Sequence, residues 1–324
     1  MSNIWQKLKK PIFILAPMDD VTDTVFRQII GDLAAPDLYF TEFTSVDGMV
    51  SEKGREPVSR RLQFTEKERP IIAQIWGNDP EKFFKAAQMC KEMGFDGIDI
   101  NMGCPEKSVV KRGMCSGLIN HPEVAAAIIK ATKEGAGGLP VSVKTRIGFR
   151  EIQTEEWLGF LLKQDLAALT VHGRTVREMS KVPAHWDEIG KAVKLRDQIA
   201  PQTLIIGNGD INSYQDGLNK VSEHGVDGVM VATGIFKNLW IFDKSGKIPN
   251  LTIEERLNQL LKHSRLFVKT WGQTKSFAIL KKFFKIYISE FEGASEMRVE
   301  FMNTNSLEEV TALVVKFSNP SLRQ

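Results

Sequence analysis

Cys104 stands in the segment NMGCP (101–105), between a glycine and a proline and just after a short apolar run. Proline fixes the turn, and glycine lets other backbone come close. A thiol so placed is presented to a cavity rather than packed. With an ordinary pKa of about 8.5 it is mostly protonated at neutral pH and can serve as an acid. Cys90, on an apolar-periodic segment, reads as a buried inert thiol, and Cys115, in KRGMCSG (111–117), as a loop thiol of ambiguous role. With three cysteines and no CxxC pair, neither a disulfide framework nor a metal site is expected.

Two glycine turns, IIGNGDI (205–211) and MVATGIF (230–236), have the makings of phosphate cradles. Each puts glycine between an apolar run and a helical pattern, where backbone N–H groups and a helix N-terminus favour an anion. Lys144 and His172 also end apolar runs. Lys144 suits a ring that gains negative charge on reduction, as a flavin does at its N1/O2 edge. His172 could hydrogen-bond the same ring, act as a base, or simply close its strand.

These residues need elements to bring them together. Eight short apolar runs recur: IFILA (12–16), LYFTEF (38–43), IIAQIW (71–76), GIDIN (97–101), VSVKTR (141–146), LTVHG (169–173), LIIGNG (204–209) and GVMVAT (228–233). Runs that stay apolar until their last residues suit parallel strands buried on both faces. Helical patterns separate most of them, among them Asp79–Met93, Pro122–Lys133, Glu155–Lys163 and Asn212–Glu223. Eight strand–helix units predict a TIM (β/α)8 barrel over 1–245. Gln74, Asn101, Lys144 with Arg146, His172, Asn208 and Thr233 all fall at the C-terminal ends of runs, the face that holds the active site in such barrels.

Beyond about Leu251 the strand runs stop, and 252–272, 273–291 and 306–317 read as helices, which predicts a small all-helical C-terminal domain over 246–324. Thr252 and Glu255 form a capping-box pattern. From His263 to Lys285 this tail carries Arg265, Lys269, Lys275, Lys281, Lys282 and Lys285 without one acid, interleaved with aromatics. Such a stretch is either a solvated face or a surface for RNA phosphates. The formal net charge of +3 permits an RNA partner without demanding one. The first residues lack the apolar core of a signal peptide, and no run of about 18 apolar residues occurs, so a cytoplasmic protein off the membrane is expected.

APMDDVTDTVFR (16–27), AQIWG (73–77), NMGCPEKSVVKRG (101–113), VKTRIGF (143–149), HGRT (172–175), PAHW (183–186), GNGDI and ATGIFKNLWIF, in this order, resemble the dihydrouridine synthase family. The resemblance runs from Ile12 to Phe242 and more loosely through LKKFFKIY, which is similar to the family's RNA-binding helices. It implies non-covalent FMN, NADPH as reductant, and reduction of uridine in RNA, foremost tRNA, to 5,6-dihydrouridine. It places Pro17 and Met18 along the isoalloxazine and Gln74, Lys144 and His172 at its polar edge. Asn208, Gly209, Asp210, Gly234 and Ile235 would hold the phosphate. Asn101, Arg146 and Arg174 would meet the flipped uracil, Lys281 and Lys282 the RNA backbone, and Cys104 would protonate C5. The family gives Cys115 no role, and a monomer is expected.

The chain departs from the family pattern twice. Ala232-Thr233-Gly234 stands where the family has Gly-Arg-Gly, which removes an arginine from the phosphate turn, and Asp19-Asp20 stands for Ala-Gly after Pro-Met. Two other readings stay open: an FMN barrel acting on a small molecule, against which NMGCP and the basic tail argue, and an RNA-binding barrel that has lost catalysis, against which Cys104, Lys144 and His172 argue.

Overall fold

A computed structural model describes residues 3–246 and 249–318, so the far end of the expected helical segment 246–324 lies outside the described residues. The apolar runs become strands β1 (Ile12–Leu15), β2 (Tyr39–Phe40), β3 (Thr44–Ser45), β4 (Ile71–Trp76), β5 (Gly97–Met102), β6 (Val141–Arg146), β7 (Ala168–His172), β8 (Leu204–Asn208) and β9 (Gly228–Val231). All pair in parallel in the order β1-β9-β8-β7-β6-β5-β4-β2, with β3 also on β4. Leu15 N–H donates to Leu38 O (3.3 Å) and Asp37 N–H to Phe13 O (2.8 Å), which ties β1 to the start of β2 and closes the TIM barrel.

The run 38–43 is the one expected strand that breaks. Phe40 pairs with Ile72 and Thr44 with Ile75, so three intervening residues face two on β4. That extra residue is a bulge, which turns a strand locally. Thr41 Oγ1 accepts the Gln74 N–H (3.1 Å) in place of a regular ladder carbonyl, and Glu42 lies within the turned segment.

Successive strand residues alternate faces. Phe13, Leu15, Val143, Val171, Val229 and Val231 join a large cluster with the surrounding helices. Ile12, Ile14, Ala16, Phe40, Ile72, Ile206 and Met230 form a second cluster with Trp5 that fills the barrel interior. Above this apolar floor the inward positions turn polar, and there the site lies.

The helices fall close to the sequence patterns. Asp79 caps Pro80–Glu92 through its carboxylate, with proline in the first turn as expected. Pro122–Ala136 ends on Gly137, and Trp186–Ile199 and Tyr214–His224 cover the β7–β8 and β8–β9 crossovers. The expected helix at 155–163 begins as a single π-turn over Thr154–Leu158.

The C-terminal region is helical. Ile253–Trp271 starts on the predicted Thr252–Glu255 capping box. The expected single helix at 273–291 is instead a 3-10 segment, Phe277–Phe283, followed by the short helix Phe284–Tyr287. Helices Ala294–Met302, which sequence reading missed, and Leu307–Ser318 complete it. The region is tied to the barrel by Trp271 Nε1 donating to Asp23 Oδ2 (2.7 Å), by the Lys275–Asp23 and Lys262–Asp32 ion pairs (3.0 and 2.9 Å), and by the Phe26–Phe283 stack. No described helix is long and apolar enough to cross a membrane.

Candidate active site

Parallel register sets the polar residues side by side: Gln74 pairs with Asp99, Asn101 with Lys144, and His172 with both Arg146 and Asn208. A hydrogen-bond chain runs through them. Ser142 Oγ donates to Asp99 Oδ1 (2.6 Å), Gln74 Nε2 to Asp99 Oδ2 (2.7 Å), and Asn101 Nδ2 to Gln74 Oε1 (3.0 Å). Asn101 Oδ1 then accepts the backbone N–H groups of Gly103 and Cys104, both at 3.0 Å. The amides of Gln74 and Asn101 thus shape the turn that presents Cys104. Asp99 was not singled out from the sequence, although an acid inside the apolar run GIDIN is a signal. Burial raises its carboxyl to about 6, with hydrogen bonds from Ser142 and Gln74 and the Lys144 charge opposing.

Cys104 is half-buried at the end of this chain. Arg146 Nε donates to Gly103 O (2.8 Å) and its Nη1 to the carbonyls of Thr175 and Met179, so Arg146 acts as a clamp between loops. Ser116 Oγ donates to Cys104 O (2.8 Å) and draws the 111–117 loop against the thiol. Cys104 does not keep an ordinary thiol pKa. A hydrogen bond from Cys115 brings it down to about 7, helped by the Glu106 N–H and the Arg146 charge against the effect of burial. Cys115, ambiguous in the sequence, is buried beside it.

Lys144 is half-buried, and its Nζ donates to Asn208 Oδ1 (3.1 Å); no carboxylate among the described residues pairs with it. Burial, reinforced by Arg146, lowers its amine to about 8. Burial and the charges of Lys144, Arg146 and Arg174 push His172 far below the usual imidazole range, so it is neutral. Arg174 Nη1 donates to His172 Nε2 (3.1 Å), which leaves the ring proton on Nδ1. The same guanidinium donates twice to Asp210, and Nε donates to Val182 O (2.6 Å). Asp210 Oδ2 also accepts the Ala184 N–H (2.8 Å), and Trp186 Nε1 donates to Gly209 O (3.1 Å). HGRT, PAHW and GNGDI are therefore one bonded unit at the barrel mouth.

The model of the family described as dihydrouridine synthase matches residues 14–320. The chain belongs to the dihydrouridine synthase family. It is a flavin-dependent oxidoreductase by that membership. A Staphylococcus aureus (strain MRSA252) protein named probable tRNA-dihydrouridine synthase is 48% identical over 317 residues, 97% of this chain and 95% of its own length. A Bacillus subtilis (strain 168) protein named probable tRNA-dihydrouridine synthase 2 is 47% identical over 322 residues, 99% of this chain and 98% of its own. Among solved structures, morphinone reductase in complex with tetrahydroNAD superposes with a TM-score of 0.51 at 13% identity, over 77% of this chain and 92% of that one. The old yellow enzyme homologue from Zymomonas mobilis gives 0.51 at 13%, over 76% and 92%. At that identity the likeness is one of fold.

Against the dihydrouridine synthase pattern, the two departures acquire structural partners. Where the family arginine is missing, Thr233 is exposed, Gly234 and Ile235 are buried, and Lys237 Nζ donates to Asn212 Oδ1 (3.0 Å) one turn away. Lys237 brings a cation to the rim of both glycine turns, and sequence reading missed it. Asp19 and Asp20 follow buried Pro17 and half-buried Met18; both pair with Arg61, which also lies 3.5 Å from Glu42 Oε1. Asp20 N–H donates to Glu42 Oε1 (2.6 Å). Arg61 thus offsets part of the negative charge that the two carboxylates add.

Residues present fit a flavin phosphate ester. Among the described residues Lys144 has one hydrogen-bond partner, and Thr170 Oγ1, its register neighbour on β7, is buried with none. Gly209 takes φ 134, and a Cβ there would come within 2.6 Å of Ala184 Cβ, so the turn needs a glycine.

Lys281 and Lys282 are less available than the acid-free segment suggests. Lys281 Nζ donates to Met302 O (2.9 Å) and to Asn305 Oδ1 (3.2 Å), and Lys282 Nζ donates to the Asp20 carbonyl at the barrel mouth. A cleft of about 610 Å³ opens beside the Cys104 turn instead, between Pro105, Val110, Phe149, Val176 and Met179 and the cations Lys107, Lys111, Arg150 and Arg177. None of those four cations is in an ion pair among the described residues.

Proposed function

We propose that this chain binds FMN without covalent attachment, takes reducing equivalents from NADPH, and reduces uridine in tRNA to 5,6-dihydrouridine. The observation that carries the reading is the Cys104 turn. Asn101 aims the thiol from the same ring of strand ends that holds Lys144 and His172. Bound FMN would supply the hydride for uracil C6.

The chain's own residues account for the rest. Lys144, with Gln74 at its side, presents positive charge to the pyrimidine edge of the flavin, and Pro17 and Met18 flank the ring. His172, neutral with Nδ1 protonated and Nε2 occupied by Arg174, donates a hydrogen bond there without adding charge. Asn208, Gly209, Asp210, Gly234 and Ile235 shape the phosphate turns, with Lys237 providing the charge that Thr233 lacks. Cys104 gives its proton to C5, so that hydride and proton together saturate the C5–C6 bond. A thiol poised at about 7 is matched to that task near neutral pH. The base must leave its stack to reach this depth. Asn101 and Arg146 line its entry, while Arg174 supports the site by holding His172 and Asp210. The Lys107–Lys111–Arg150–Arg177 cleft carries the RNA strand next to the flipped nucleotide.

The experiment is direct. Incubated with NADPH and unmodified tRNA, the yellow protein converts uridine to dihydrouridine, quantified by mass spectrometry of the digested RNA. Absence of flavin in the purified protein, together with no uptake of added FMN, contradicts the reading.

A further inference from the structure

A side-chain amide has a donor end and an acceptor end of nearly equal shape, so a buried run of amides needs a fixed group at each end to set its direction. At one end stand the backbone N–H groups of Gly103 and Cys104, which can only donate and therefore claim Asn101 Oδ1. Asn101 Nδ2 is left to donate to Gln74 Oε1, and Gln74 Nε2 must then find an acceptor. Asp99 Oδ2 is that acceptor, at 2.7 Å. The carboxylate, ionised at neutral pH, accepts and never donates. Ser142, its register partner on β6, donates to the other oxygen (2.6 Å). Asp99, Gln74 and Ser142 are fully buried and Asn101 nearly so, so water does not replace a lost partner. Burying an acid costs free energy that an apolar residue of similar size would not. Here the oxygens meet a hydroxyl and an amide rather than a cation, so the acid sets direction instead of pairing charge.

We propose that Asp99 is a positioning residue for the reaction: as the acceptor-only end of the run it fixes the direction of both amides, and through Asn101 it holds the turn that presents Cys104. Its importance for turnover rests on Cys104 being the proton donor; its hold on the turn does not.

Substitutions at Asp99 and Ser142 separate direction from packing. In Asp99→Asn the introduced carbonyl accepts Gln74 Nε2 while the introduced amide donates to Ser142 Oγ, which accepts as readily as it donates. The run keeps its direction. In Ser142→Ala the carboxylate still receives Gln74. In the double variant the introduced amide has no hydroxyl to meet. It turns to Gln74 Oε1, both amides reverse, and Asn101 Nδ2 then faces the Gly103 and Cys104 N–H groups, donor against donor. Asp99→Leu removes the acceptor outright.

Hydrogen exchange of the flavin-loaded protein, followed by mass spectrometry of peptides covering 101–105, reads the turn without RNA. The Gly103 and Cys104 amides exchange about tenfold faster in the double variant and in Asp99→Leu, as for loss of one hydrogen bond, and near the parent rate in either conservative single variant. Single-turnover flavin reoxidation with tRNA slows about 100-fold in the same two proteins, the size of a small misplacement of a reacting group, and changes little in the single variants. The double variant nearly keeps the size of both side chains, so the comparison survives if Asp99→Leu fails to fold. A double-variant deficit no larger than the two single deficits combined overturns the proposal. Asp99→Asn as damaging as Asp99→Leu assigns the effect to charge and overturns it too. The expected exchange pattern in a protein whose parent form fails to reduce uridine upholds the hold of Asp99 on the turn and refutes the functional reading instead.

Discussion

Arg174 donates to both carboxylate oxygens of Asp210, at 2.7 and 2.6 Å. The pair joins the end of β7 to the glycine turn after β8, and through Arg174 Nη1 it also sets the tautomer of His172. Arg174 is 6% exposed, and losing it leaves the half-buried His172 Nε2 and Val182 carbonyl without their donor while Asp210 stays open to water. Arg174→Lys keeps the charge but not the fork. It is expected to weaken FMN binding and to destabilise the fold by about 1–3 kcal/mol. Flavin fluorescence titration and urea unfolding measure the two effects.

Lys237 is expected to replace the arginine that Thr233 displaces. Lys237→Ala weakens FMN about tenfold, the size of one charge-assisted hydrogen bond. Thr233→Arg in the Lys237→Ala background recovers the loss. Equal dissociation constants for parent and Lys237→Ala would remove Lys237 from the phosphate site.

The basic cleft predicts a salt signature. Lys107→Ala with Lys111→Ala weakens RNA binding and lowers the slope of log K against log salt by about 0.7 to 0.9 for each RNA phosphate that is no longer neutralised. Lys281→Ala, whose amine is already satisfied by Met302 and Asn305, leaves the slope unchanged. Filter binding across salt concentrations, with FMN occupancy checked, decides between the two surfaces.

Glu42 predicts a pH dependence of stability. Burial, reinforced by Asp23 and opposed by Arg61, raises its carboxyl to about 7, whereas in an unfolded chain it ionises at about 4.3. Between those values the folded protein holds a proton that the unfolded chain has released. Stability therefore falls as pH rises through this window. Glu42→Gln is expected to flatten that slope by up to about 1.4 kcal/mol per pH unit, measured by urea unfolding at several pH values across it. The same slope in parent and variant would show that Glu42 ionises normally.

Much of this was legible in the sequence because parallel-barrel strands announce themselves by composition and carry their functional residues at one end. Gln74, Asn101, Lys144, His172 and Asn208 followed from that rule alone. What stayed hidden depends on contacts between distant segments. The 38–43 run looks like a strand, yet the bulge that places Glu42 is visible only in its register with β4. Phe277, Leu280 and Phe283 recur every three residues, a spacing that suits a 3-10 turn as well as a helix. Ala294–Met302 lacks a clean apolar stripe, since Val299 and Met302 are exposed while Met297 and Phe301 are buried. Lys281 and Lys282 read as free because their partners, Met302, Asn305 and Asp20, come from other segments. Cys115 reads as a loop thiol because nothing local shows that the loop folds back onto Cys104.

The central claim is that the Cys104 proton completes uracil reduction. The measurement is anaerobic single-turnover reoxidation of NADPH-reduced enzyme on adding tRNA, comparing parent with Cys104→Ala. The variant is expected to bind FMN, to bleach with NADPH at the parent rate, and to reoxidise with tRNA roughly 100- to 10,000-fold more slowly. Reoxidation of Cys104→Ala at the parent rate, with dihydrouridine formed, would contradict the account.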